Sequence, residues 1–197
     1  RGSNMYVFLV SMSASSSFTL DASLNLGDTF DADLKFTTMA TDGNGQFCVL
    51  GANQVTTARS LTAVTFSISG TTITAGNLTT LSTDNVNSYG RSSIVYDSNE
   101  DRFVCAYWYS PSTTDYIYSK SFSISSNTIG TQATELLKTF PSYSNDAYVS
   151  LNFAPLIGVT AFYGSESSTN VIFSKRFTAT AGTITFASEV SLATNKT

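Results

Sequence analysis

Apolar residues recur at every second position through much of this chain. The stretch Tyr116-Ile117-Tyr118-Ser119-Lys120-Ser121-Phe122-Ser123-Ile124 shows the pattern openly. That period belongs to a half-buried antiparallel strand, because successive side chains on a pleated backbone point to opposite faces. Around it, the pattern predicts four strands over Ser93–Tyr96, Phe103–Tyr109, Tyr116–Ile124 and Thr128–Leu137. The segments DSNED and SSN lie between the first two and the last two, and both are rich in residues that favour turns. The prediction is a meander of four short antiparallel strands.

The same unit recurs. VTFSISGTTIT at 64–74, KSFSISSNTIG at 120–130 and KRFTATAGTIT at 175–185 align, so that Phe66, Phe122 and Phe177 stand 56 and 55 residues apart. Ile73, Ile129 and Ile184 keep the same spacing. FTTMATDGNGQFCVL at 36–50 matches SSIVYDSNEDRFVCAY at 92–107, with Asp42 and Asp97 55 residues apart. The third copy, VSLNFAPLIGVTAFY at 149–163, carries a shorter Ala-Pro turn in place of the acidic one. Four strands repeated at about 55 residues predict an all-β, propeller-like array of four-stranded antiparallel blades, each needing a neighbour to cover its faces. A β-sandwich is the competing fold, and it leaves the period unexplained.

Residues 36–91, 92–146 and 147–197 read as full blades. Residues 1–35 read as a partial blade of three strands, Met5–Val10, Ser16–Leu20 and Leu24–Phe30, taken as its second, third and fourth. The count predicts one continuous domain that is a piece of a longer repeat array or is completed by a strand from a neighbouring chain, as in a homo-oligomer. No apolar stretch approaches the ~18 residues of a membrane span.

Composition narrows the functional classes. The 31 Ser and 29 Thr replace charge as the source of surface polarity, since only 12% of residues are charged against about 25% in average domains. A net charge of −4 with five Arg and five Lys argues against a protein that tracks nucleic-acid phosphates. The absence of His removes the commonest general base and most zinc sites. Cys48 and Cys105 sit in apolar runs and read as buried hydrophobes. No cofactor is expected, and the balance suits an extracellular or virion surface.

The middle unit, SSIVYDSNEDRFVCAYWYS followed by SKSFSISSNTIGTQATEL, resembles propeller-type repeats of phage tail-fibre and appendage proteins, marine ones especially. The resemblance covers most of 36–192, and the third copy departs from it in lacking Tyr-Asp and the long turn. It implies a non-enzymatic structural or receptor-contacting module. Its partners would be a cell-surface glycan or receptor, or neighbouring virion proteins.

Three sets of residues carry candidate chemistry. Asp97, Asn99 and Asp101 have the alternate-oxygen spacing of a calcium loop, but Arg102 stands where such a loop needs Gly, so a plain turn is the preferred reading. In a propeller the loops after the second and fourth strands gather at one end. There Tyr89, Arg91, Trp108, Tyr109, Tyr143, Asn145 and Asp146 combine rings that stack on sugars with groups that bond their hydroxyls, against the alternative that they solvate loops or pack between blades. A secreted carbohydrate-binding lectin is therefore the first alternative function. A glycan-cleaving enzyme is the second, drawing on Asp115, Asp146 or Glu166 as paired carboxylates. Neither an arginine cluster nor the S-x-D-x-G-x-T-W turn of sialidase-type propellers is present. Asn77 and Asn195 head glycosylation-type triplets, which arise easily in so Ser/Thr-rich a chain.

Overall fold

A computed structural model describes residues 5–13, 17–27, 38–55, 58–83, 92–111, 114–140, 147–165 and 172–193. Every regular element among them is a strand. β1 (Met5–Met12) pairs with β2 (Phe18–Gly27) in sheet A. β3 (Thr38–Thr41), β4 (Gln46–Val55), β5 (Ala58–Ser69) and β6 (Thr72–Ser82) form sheet B in that spatial order. β7 (Ser92–Asp97), β8 (Arg102–Tyr109), β9 (Asp115–Ser125) and β10 (Thr128–Phe140) form sheet C. β11 (Ala147–Ala154), β12 (Gly158–Ser165) and β13 (Ile172–Ala179) begin sheet D, and both β14 (Ile184–Phe186) and β15 (Val190–Ala193) pair with β13. Sheet D therefore has four lanes, the last interrupted at 187–189, where Ala187 N–H donates to the Arg176 carbonyl at 2.8 Å. All pairings are antiparallel.

The repeat holds residue by residue. Phe66, Phe122 and Phe177 all lie on third strands, opposite Phe47, Phe103 and Val159 on second strands, and all three are buried. Ile73, Ile129 and Ile184 open the fourth lanes opposite Ile68, Ile124 and Ala179. The sheets follow one another in chain order. β7 packs against both β3 and β11, while the fourth lanes β6, β10 and β14 touch more sparsely. Alternation gives each sheet two faces: the fronts of B, C and D meet the preceding sheet, and the backs of A, B and C meet the following one. Phe103, Cys105, Tyr107 and Phe122 on the front of C share a core with Cys48, Leu50, Leu61 and Leu81 on the back of B. Val104, Ala106, Ile117 and Leu137 on the back of C meet Val159, Ala161, Tyr163 and Phe177 on the front of D.

Leu81 and Leu137 reach those cores through a bulge. The ladder skips Leu81 between Leu61 and Thr62, Leu137 between Ile117 and Tyr118, and Leu192 between Ile172 and Phe173. The same skip falls at Leu26, between Met5 and Tyr6. A bulged residue adds local twist, and its recurrence at the same lane tunes each sheet alike.

That last correspondence corrects the reading of the N-terminal segment. Met12 faces Phe18 as Ile68 faces Ile73, so β1 and β2 occupy the third and fourth lanes. Phe18–Gly27 is one strand, not the end of one and the start of another. A register shift, at Asp21 between Leu20 and Ala22, carries the ladder across Asp21-Ala22-Ser23, the segment left between the two predicted strands. Val7 and Leu24 on the back of A pack against Val49, Val64 and Phe66 on the front of B.

Hydrogen bonds register one sheet on the next. Ser126 and Asn127 turn β9 into β10 with positive φ at both residues (49° and 59°), the geometry of the two-residue hairpin turn that follows strand twist. From there Asn127 enters sheet B: its Nδ2 donates to Ser67 Oγ at 3.0 Å and to the Thr74 carbonyl at 3.4 Å, and its own carbonyl accepts from Thr65 Oγ1. Gly76 makes this possible, because a Cβ there would stand 2.6 Å from both Asn127 Cβ and Asn127 O. Between C and D, Leu151 N–H donates to Ser93 Oγ at 2.9 Å.

Candidate functional site

The loop end of sheet C gathers four tyrosines. β8 ends in Tyr107-Trp108-Tyr109 and β9 begins Asp115-Tyr116-Ile117-Tyr118, so alternation sends tyrosines to one face and Trp108, Asp115 and Ile117 to the other. Antiparallel register sets Tyr107 opposite Tyr118 and Tyr109 opposite Tyr116. Their rings stack at centroid distances of 6.0 Å and 5.8 Å, with interplanar angles of 26° and 27°. A diagonal contact at 6.2 Å joins Tyr109 to Tyr118, and Tyr116 meets Tyr118 along β9 at 6.1 Å. Tyr107 is buried, and Tyr109, Tyr116 and Tyr118 are half-buried. The result is an aromatic ladder on one side of the strand pair, partly open at the loop end. Sheet B has Gly51 and Thr62 where C has Tyr107 and Tyr118, and D has Tyr163 stacked on Phe173 at 5.8 Å. The second rung, Tyr109 on Tyr116, sets C apart among the described residues.

Trp108 does not join that surface. It is 1% exposed, with the protein covering its ring, and its Nε1 is buried without a hydrogen-bond partner among the described residues, as is Ser110 Oγ. Asp115 is buried on the same face at the start of β9. Sequence reasoning selected Tyr109 and missed Tyr116 and Tyr118; the signal was two Tyr-x-Tyr steps in facing strands, legible only once their register is known. Tyr89, Arg91, Tyr143, Asn145 and Asp146 lie outside the described residues, as do Glu166 and Asn195.

At the opposite end, the acidic turns bind their own backbone. Asp42 Oδ1 accepts from Asn44 N–H at 2.7 Å and Gln46 N–H at 2.9 Å; Asp97 Oδ1 accepts from Asn99 N–H at 3.0 Å. These are Asx-type turns. Asn99 Nδ2 donates to the Pro155 carbonyl of the neighbouring sheet at 2.9 Å, and Asp101 accepts from the Tyr96 hydroxyl at 2.6 Å. The three residues with calcium-like spacing thus turn to three different protein partners. Burial, reinforced by Asp101, pushes the Tyr96 hydroxyl up to about 12. Among the described residues no group of three or more Cys, Asp or Glu is placed to hold a metal ion.

The remaining chemistry lies between sheets. Glu189, in the break between β14 and β15, accepts from Lys138 Nζ at 2.7 Å and from the Tyr163 hydroxyl, with Lys175 Nζ at 3.9 Å. Lys175 also donates to the Leu137 carbonyl at 3.0 Å. Lys138 sits 4.2 Å above the Phe173 ring. Burial raises the Glu189 carboxyl, but the hydrogen bonds from Lys138 and Tyr163 and the two lysine charges outweigh it and hold the group below the ordinary glutamate range. Cys48 and Cys105 are buried free thiols in the core shared by B and C. Burial pushes Cys105 up to about 12 against the partial opposition of Lys120, and pushes Cys48 well above its ordinary value, so neither is a thiolate near neutral pH.

Fold and site together define an all-β protein of repeated four-stranded antiparallel sheets, with an aromatic ladder at the loop end of its middle unit. No protein-family model and no curated protein matches the chain.

Proposed function

We propose that this chain is a non-enzymatic structural and receptor-contacting module of an extracellular or virion appendage, its sheets acting as the blades of a propeller-like array. The observation that carries the reading is how its polar chemistry is used. Glu189, Lys138 and Lys175 clamp one sheet to the next, Asp42 and Asp97 close turns, and Asn127 plugs a neighbouring sheet. The close approach of first strands and sparser contact of fourth lanes is the splay expected of blades around an axis. The Ser/Thr-rich, low-charge composition and the resemblance of the repeat to phage appendage repeats point to the same surroundings.

The tyrosine ladder favours one specific alternative, a secreted lectin-like propeller. Tyr109, Tyr116 and Tyr118 are half-buried, Tyr109 and Tyr118 resting on the core shared with sheet B, and the part of their rings left exposed is of the kind that stacks on the apolar side of a pyranose. A glycan array probed with the purified chain separates the readings. Binding that drops at least tenfold in Tyr109→Ala and Tyr116→Ala, with strand circular dichroism unchanged, supports glycan contact through the ladder. A chain that binds no glycan yet adheres to intact cells retains the receptor-contacting reading and removes the lectin. Release of sugar from a polysaccharide by the purified chain overturns the non-enzymatic reading.

A further inference from the structure

Each internal interface is made the same way, back of one sheet on front of the next, and the two end sheets each carry one such face uncovered. On the back of D, Phe162, Ile172 and Leu192 occupy the positions of Leu50, Leu61 and Leu81 in B and of Ala106, Ile117 and Leu137 in C. The equivalence is exact in the ladder for the bulged leucines, yet Leu81 and Leu137 are 4% and 2% exposed while Leu192 is 52% exposed. Phe162 and Ile172 are likewise exposed, whereas Leu50, Leu61, Ala106 and Ile117 are fully buried. At the other end, Val10, Met12 and Phe18 on the front of A occupy the positions of Phe66, Ile68 and Ile73, and they are 49%, 66% and 74% exposed. Tyr6, Phe8 and Leu20 extend that apolar face.

We infer that the chain associates head to tail with a second copy of itself, the front of sheet A of one copy seating on the back of sheet D of the next. The chain already contains the template for this contact, since front-on-back is how A meets B, B meets C and C meets D. The lanes also match. Sheet A supplies third and fourth lanes, and Ile172 and Leu192 lie in the third and fourth lanes of D. Such a contact uses different surfaces on the two partners. Repeated, it closes into a ring if the rotation permits and otherwise continues as a filament. The inference rests on the repeat geometry and is independent of what the loop end binds.

Sedimentation velocity of the purified chain over a hundredfold concentration range tests it, with two blocked variants. Ile172→Asp/Leu192→Asp charges the back of D; Met12→Asp/Phe18→Asp charges the front of A. All four positions are exposed, so both variants should keep the strand spectrum of the parent, and Leu156→Asp, on a turn away from both faces and 99% exposed, serves as the control. The expected result is concentration-dependent assembly of the parent and of Leu156→Asp, and a 21.1 kDa monomer for each blocked variant alone. A 1:1 mixture of the two should give a dimer and nothing larger, because one open front then meets one open back. A parent that stays monomeric throughout overturns the inference. So does assembly by either blocked variant alone, which would mean a face pairing with its own kind.

Discussion

Asn127 joins two sheets from the tip of a two-residue turn. Its φ of 59° is a conformation that Asn and Gly tolerate and most side chains do not, and its amide reaches Ser67 and Thr74 across the interface. Asn127→Gly should keep the turn and lose these bonds, lowering unfolding free energy by about 1–3 kcal/mol; Asn127→Ala should cost more, since it adds backbone strain. Urea titration of both variants reads the difference. Glu189 makes a pH prediction. Its carboxyl is held below the ordinary range in the folded protein, so its ionised form stabilises the fold above the unfolded value near ~4.3. That contribution is lost as pH falls from there through the lowered folded value. Glu189→Gln should therefore flatten the acid limb of a stability-versus-pH curve below about pH 5, and an unaltered limb would show that the clamp adds nothing.

Among elements, the bulged fourth lanes and the third strands carry the fold. Phe122 stacks on Phe103 at 6.1 Å and fills the core between B and C, as Phe66 does between A and B and Phe177 between C and D. Phe122→Ala should cost about 3–5 kcal/mol, the usual range for a buried ring. The bulged leucines give a sharper comparison, because the same residue at the same ladder position meets different surroundings. Leu81→Ala and Leu137→Ala should each cost about 2–5 kcal/mol, whereas Leu192→Ala at the open end should fall within about 1 kcal/mol at protein concentrations too low for assembly. Equal losses at all three would contradict the end-face reading. The strands themselves were legible in advance: the predicted Phe103–Tyr109 and Tyr116–Ile124 differ by one residue or none at each end from β8 and β9. Where legibility failed, at Phe18–Gly27, a bulge had broken the alternation without ending the strand.

On the scale of the whole molecule, repetition makes stability a sum over similar neighbours, and the ends become the special places. Proteins that stack repeats must cover or polarise their outermost faces, and here Val10, Met12 and Phe18 at one end and Ile172 and Leu192 at the other do neither. Strand content, the period, the aligned phenylalanines and the turn role of Asp42 and Asp97 were determined by the sequence alone, because alternation and turn chemistry are local and the copies repeat them, three times for the phenylalanines and twice for the acidic turn. Which face of each strand meets which neighbour was decided by tertiary structure. So were the seating of Asn127 against Gly76, the gathering of Glu189 with two lysines, the burial of Trp108 on the face opposite a half-buried tyrosine ladder, and the assignment of β1 and β2 to third and fourth lanes. Each of these depends on strand register and on sheet-to-sheet packing between residues distant along the chain, and a single sequence carries no direct signal for either.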